Sequence, residues 1–193
     1  MHDLEPFYRW REEYAVEDDT RSPFYGHTYT DWKQVYNYLL HPLWDDFESN
    51  TLYLKVLMAD YEENYAIIEL IGEWNDALEN DIRFLKRNII ESMLDEGISK
   101  YILIMENVLN FHGDGDDYYA EWAEECQDAY NGGWIAMLNT FDHVADELHN
   151  TRLDNYVHFG QDFNGLSWRQ YPPKTVLNLV EALVNGGTKR LSF

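Results

Sequence analysis

The sequence is short of cysteine, of positive charge and of long apolar runs, and each shortage excludes something. Cys126 is the only cysteine among 193 residues, so no intrachain disulfide, thiolate metal cluster or cysteine-pair redox centre can form. It falls in a helical stretch among acids, which raise a thiol pKa, so it reads as an inert packing group. No apolar run approaches the roughly 20 residues of a membrane helix; the best, Tyr101 to Met105, is strand-sized. The chain opens Met1-His2-Asp3-Leu4-Glu5-Pro6, without the basic and apolar regions of a secretory signal. A cytoplasmic location is the expectation. Fourteen Lys and Arg stand against thirty-six Asp and Glu, for a net charge of −22. Such a surface repels phosphate backbones and lipid head groups, so neither nucleic acid nor membrane is expected as a partner. It suits a protein partner with a basic surface.

What is present is a core. Hydrophobic residues make up 45% and aromatics 16% of the chain, too many for a disordered acidic tail. Residues 1 to 50 mix rings with charges (Phe7, Trp10, Phe24, Trp32, Trp44 and Phe47 among them). They read as an arm that lays aromatic rings on a neighbouring surface. Within it the spacing predicts a helix over Thr30 to Leu40: Thr30 caps it, and Trp32, Val35, Tyr36 and Leu39 recur at helical intervals. His41-Pro42 ends it, because a residue before proline is pushed out of the helical region.

From Thr51 the pattern is regular. Leu52 to Ala59 and Tyr65 to Gly72 read as strands joined by a polar turn, which makes an antiparallel hairpin. Asp76 to Glu96 reads as one long helix, with Leu78, Ile82, Leu85, Ile89 and Met93 on its apolar face and Gly97 as its stop. Tyr101 to Met105 is a strand buried on both faces. Then follow a helix over Asp117 to Tyr130, a strand over Trp134 to Leu138, a helix over Phe141 to Thr151 and a short strand over Asn155 to Phe159. The order predicts an α/β fold: a mixed sheet, with the hairpin as its antiparallel part and parallel strands after it, flanked by helices. Beyond Gly160, Pro172-Pro173 starts a last helix with Val176, Leu177, Val180, Leu183 and Val184 in one stripe, ended by Gly186-Gly187; the tail Thr188 to Phe193 is expected to be mobile. Three segments result: an aromatic-rich arm over 1–50, an α/β core over 51–160, and a C-terminal loop, helix and tail over 161–193.

The stretch from Leu52 to Gly160 resembles the STAS fold of bacterial anti-sigma-factor antagonists. The residues that carry the likeness are the hairpin ending Ile71-Gly72-Glu73, the long helix after it, the strand Ile102 to Glu106, and the later strand–helix–strand units. The whole chain, through Trp32, His41-Pro42, Ile71 to Asp76 and Asn107 to Gly113, also resembles a bacterial protein group from which no activity carries over. The STAS resemblance implies protein binding as the general role. Switching members of that family carry a phosphorylatable hydroxyl at the start of the helix after the middle strand. Here that place reads Asn110-Phe111-His112-Gly113-Asp114-Gly115-Asp116-Asp117, and no Ser or Thr occurs from Lys100 to Asn139. The hydroxyl switch therefore does not carry over, and fixed negative charge stands in its place.

That loop holds the strongest candidates for a site: Asn110, His112, Asp114, Asp116 and Asp117 as binding residues, with Trp74 as the rim of a pocket. His112, Asp114 and Asp116 together have the donor chemistry of a divalent-cation site, and metal-assisted hydrolysis is the alternative function. Counted from Asp114, Asp116 falls third and Glu125 twelfth, as an EF-hand requires, but Tyr118 and Tyr119 occupy the fifth and sixth places where a ligand and a glycine belong. The plainer reading is a helix start whose aspartates cap free N–H groups. His143 and Glu147 share a helical face without the His-Glu-x-x-His pattern of zinc hydrolases. His41 and His158 read as packed or hydrogen-bonded rings. No P-loop, dinucleotide fingerprint or nucleophile elbow occurs, and no cofactor is implied. The leading expectation is a non-enzymatic protein-binding or regulatory domain. A third reading is self-association, through Val176, Val180 and Leu183 or through the N-terminal rings.

Overall fold

Where the spacing predicts a helix over Thr30 to Leu40, the chain makes two short strands. The computed structural model describes residues 3–7, 9–35, 38–130 and 132–186. β1 (Asp3–Leu4), β2 (Lys33–Val35) and β3 (Tyr38–Leu40) form a small sheet in the order β1-β3-β2. Tyr36 and the tail Thr188 to Phe193 lie outside the described residues. The helical spacing loses to tertiary burial: Val35 and Leu40 pack with Trp44, Tyr53 and Ile71 in one apolar cluster. Such a half-buried pleated surface suits β-branched and aromatic residues better than a helix does. Several of the N-terminal rings also belong to the chain's own core, Trp10, Phe24, Trp44 and Phe47 each being buried, whereas Tyr25, Trp32 and Tyr38 are exposed.

The main sheet follows the sequence pattern. β4 (Leu52–Asp60) and β5 (Tyr65–Asn75) pair antiparallel, from Leu52 opposite Gly72 to Asp60 opposite Tyr65. Gly72 is required there: its φ is 123°, and a Cβ would stand 2.0 Å from the Thr51 carbonyl oxygen. β6 (Lys100–His112) lies parallel to β5, and β7 (Trp134–Leu138) parallel to β6, giving the order β4-β5-β6-β7. This is the mixed α/β sheet that the sequence predicts. The expected last strand is reduced to a single bridge between Ala136 and His158; Leu153–Asn155 is a 3-10 turn instead.

The predicted helix over Asp76 to Glu96 is broken into α1 (Asp76–Glu79), α2 (Asp81–Leu85), a π-helical turn over Lys86–Ile90 and α3 (Glu91–Asp95). Asn80 sits in the left-handed region at φ 57°, and the N–H of Ile82 turns inward to the Asp76 carboxylate. Leu78, expected on the apolar stripe, is therefore 81% exposed. Lys86 lies in the π-helical turn with its ammonium buried 2.7 Å from Glu125. α4 (Asp117–Asp128), α5 (Asp142–Asn150) and α6 (Pro173–Val184) complete the chain. Three layers result. One face of the sheet (Ile68, Leu70, Trp74, Leu103) packs on the interrupted helix, α4 and α5. The other (Ile67, Ile102, Ile104, Leu138) packs on α6 and on Trp10 and Trp168.

Candidate functional site

Two charges interrupt the apolar strands of the hairpin: Lys55 in β4 and Glu69 in β5, directly opposite each other. Glu69 and its neighbours Ile67 and Ile71 alternate onto the α6 face, and Lys55 and Glu69 are 8% and 1% exposed. Buried ions need partners. Lys55 Nζ donates to Tyr29 at 2.7 Å and to Asp45 Oδ2 at 3.1 Å, and Asp45 Oδ1 lies 3.1 Å from His27 Nδ1. Glu69 accepts the Phe7 N–H at 2.7 Å and an Arg169 Nη2–H at 2.9 Å. Arg169 Nη1 pairs with Glu106 on β6, and Glu106 also accepts from Trp168 Nε1 at 3.3 Å and Asn139 Nδ2 at 3.2 Å. The guanidinium lies 4.4 Å from the Trp168 ring centroid and 5.8 Å from that of Phe7. Burial pushes the Glu69 carboxyl up, and the Phe7 amide and Arg169 pull it back. At the far side burial raises Asp45 and lowers Lys55, each opposed by the other.

The belt ends at a cleft of about 540 Å³ between Glu106, the β7 terminus and the segment from Asn164 to Gln170. It lies outside the C-terminal end of β7 and beside the middle of β6, and the carboxyl ends of parallel strands are where open α/β sheets place their ligands. Asn139, left-handed at φ 57°, accepts the Gly165 N–H and donates to the Leu166 carbonyl. Asn164 reciprocates by bonding both backbone groups of Thr140. These amides hold the segment across the strand ends. Thr140 Oγ1 is buried there without a hydrogen-bond partner among the described residues.

The residues singled out in the sequence lie further along the same end of the sheet. Pairing between β6 and β7 stops at Ile104 opposite Leu138, but β6 continues beside β5 to His112 opposite Asn75. Asn110 Nδ2 donates to Glu73 at 2.7 Å; His112, Asp114 and Asp117 are exposed. Asp116 accepts from Tyr156 at 3.2 Å and makes no side-chain cap to α4, contrary to the capping expectation. The partial EF-hand count has no structural counterpart, since α4 starts at Asp117 and buries Tyr119 completely. Among the described residues, no three His, Cys, Asp or Glu side chains converge to hold a cation. His143, on α5, donates through Nε2 to the Leu109 carbonyl at 2.7 Å. Leu109 and Tyr38 are exposed beside an apolar groove of about 200 Å³ walled by Leu4, Val35, Leu40 and Ile71.

Trp74 is not a rim residue. Its ring is wholly buried and its Nε1 donates to Asp76 at 2.8 Å. Asp76 also accepts from Tyr119 at 2.7 Å, while Asn75, not Asp76, caps α1 by accepting the Leu78 N–H. Burial pushes Asp76 up to about 6, against the pull of these hydrogen bonds. Cys126 is buried and its thiol pushed up to about 12, chiefly by burial. Sequence reasoning missed Glu69, Glu106, Asn139, Asn164, Trp168 and Arg169. One signal was available: a lone Glu within Ala66-Ile67-Ile68-Glu69-Leu70-Ile71, an otherwise apolar buried strand.

Fold and site together define a mixed-sheet α/β protein with a charged belt under its N-terminal segment and a polar cleft at the strand ends. No family model and no curated protein matches the chain. It is similar to solved structures of anti-sigma-factor antagonists. The unphosphorylated anti-sigma factor antagonist SpoIIAA aligns with 67% of this chain and 96% of its own, at 11% identity and a TM-score of 0.46. The phosphorylated form of the Bacillus cell fate determinant SpoIIAA aligns with 66% and 98%, at 12% identity and a TM-score of 0.42. Among the described residues, no helix is long and apolar enough to cross a membrane.

Proposed function

We propose that this chain is a non-enzymatic, cytoplasmic protein-binding domain that docks a basic partner on the end of the sheet where β6 outruns β7. The observation that carries the reading is the exposed Leu109 on that projecting strand, beside the apolar groove and three residues before the acidic loop His112 to Asp117. An apolar anchor in a groove with a charged rim is the usual anatomy of a specific interface. The net charge of −22 selects for a basic surface and steers its approach. In this reading Asn110, His112, Asp114, Asp116 and Asp117 form the rim, and Trp74 supports it from beneath. The core over 51–160 supplies Leu109 and the acidic rim, while Leu4, Val35, Tyr38 and Leu40 of the N-terminal segment wall the groove. Control by hydroxyl phosphorylation at the loop is absent, because the stretch 100–139 holds no Ser or Thr.

Affinity capture from native cytoplasm, followed by titration of the purified pair, tests this. One basic protein should be recovered repeatedly. Its dissociation constant should rise about tenfold or more between ~50 and ~300 mM salt, and about tenfold in Leu109→Asp. A pair indifferent to both salt and Leu109→Asp overturns the reading.

A further inference from the structure

The Glu69–Arg169–Glu106 contact is more than a salt bridge closing a loop. It is a complete recognition seat for a guanidinium group. Two carboxylates from adjacent parallel strands bracket the planar cation. The Trp168 ring lies 4.4 Å away, and Phe7 packs edge-on against Trp168 at 4.9 Å. Carboxylates matched to the fork of donors and aromatic rings within cation–π range are what arginine recognition requires. The seat holds two carboxylates for one cation, and it opens onto the cleft of about 540 Å³. Arg169 itself is delivered by a short 3-10 turn, Trp168–Gln170, and its side chain remains 42% exposed. The carboxylates are anchored independently of it, Glu69 by the Phe7 amide and Glu106 by Asn139 and Trp168. Removal of the arginine therefore leaves the seat's acceptors positioned.

We propose that Arg169 is an internal stand-in for an arginine of the basic partner, which displaces it and inserts its own guanidinium between Glu69 and Glu106. The inference rests on the reading of the chain as a binder of a basic protein, and it names the side chain that the partner contributes. Arg169, tethered to its own loop, competes at an effective concentration in the millimolar range or above. A free guanidinium compound thus binds the intact protein weakly, and a partner needs its further contacts to win.

Calorimetric titration with agmatine checks this, with putrescine as the dication that lacks a guanidinium. Arg169→Ala should bind agmatine 1:1 and about tenfold or more tightly than the intact protein does. Putrescine should bind weakly to both. Adding Glu106→Gln to Arg169→Ala should abolish the gain. Should Arg169→Ala not fold, Arg169→Gln keeps the stem and an amide donor and should show the same gain, smaller in size. A side-chain nitrogen NMR titration of the intact protein should move the Arg169 guanidinium signals towards those of a solvated arginine. Equal agmatine affinity in the intact protein and either variant overturns the proposal, as does equal binding of putrescine. These results are separable from the capture experiment. A partner captured with salt-dependent affinity, but unaffected by Arg169→Ala, sinks the seat and leaves the docking function standing. Agmatine binding as described with no basic protein captured does the reverse.

Discussion

At Asp76 burial and hydrogen bonding pull in opposite directions. Three donors converge on one carboxylate, from Trp74, Tyr119 and the Ile82 backbone, yet burial prevails and the group titrates near 6. The unfolded carboxyl ionises at its ordinary value of 3.8, so the folded state alone keeps the proton between about 4 and 6. Its stabilising contribution is complete below that window and is lost as pH rises through it, on the order of 2–3 kcal/mol for a shift of this size. Asp76→Asn can still accept through Oδ1 and can donate to the tyrosine oxygen. Its urea midpoint should change less than the parent's between pH 4 and pH 7, and an unchanged difference would refute the assignment. Gly72 offers a second test at this scale. Gly72→Ala drives a methyl into the Thr51 carbonyl at a φ that L-residues avoid, and should cost at least about 2 kcal/mol in equilibrium unfolding.

At the level of elements, the informative one is the interrupted helix after β5. Its apolar spacing is that of a continuous helix, and Ile82, Leu85, Ile89 and Met93 are indeed buried. The interruption comes from two polar demands. Asp76 takes the Ile82 N–H, and Lys86 is buried among Glu91, Glu121 and Glu125. Asn80 absorbs the restart in a left-handed conformation. Asn80→Ala should therefore destabilise by about 1 kcal/mol, the left-handed penalty for a residue with a Cβ, whereas Asn80→Gly should be close to neutral. Thermal melts of the two variants decide it: equal losses would mean that the break is not what Asn80 supplies. β6 shows the opposite error. Its continuous apolar run ends at Met105, but backbone pairing with β5 carries the strand to His112, with only Val108 and Phe111 buried among polar or partly exposed residues.

Across the whole molecule, charge is the dominant fact. With a net charge of −22 the native state repels itself, and most of that repulsion is between solvated groups that salt screens within about 8–10 Å. The melting temperature should rise by several degrees between about 10 and ~500 mM sodium chloride, because the compact state carries more of the repulsion than the expanded one. A melting temperature that falls over that range would mean that the surface pairs, such as Lys174–Glu63 and Lys100–Glu181, outweigh the excess of like charge.

The order of strands and helices from Leu52 to Asn150 and the last helix to Val184 followed from local periodicity, apart from the break in the helix after β5 and the strand expected over Asn155 to Phe159, which is a single bridge. So did the mixed sheet, which a tight hairpin followed by helix-linked strands imposes. The lone cysteine excluded an intrachain disulfide in the same direct way. Three things waited for the tertiary structure. The helix expected over Thr30 to Leu40 became strands, since Val35 and Leu40 are buried against a sheet that begins a dozen residues later. Trp74 moved from rim to core. The seat around Arg169 joins residues 7, 69, 106 and 169, distant in the chain and adjacent only because β5 and β6 lie side by side and the N-terminal segment and the Trp168–Gln170 turn pack over them; no local pattern encodes such a meeting.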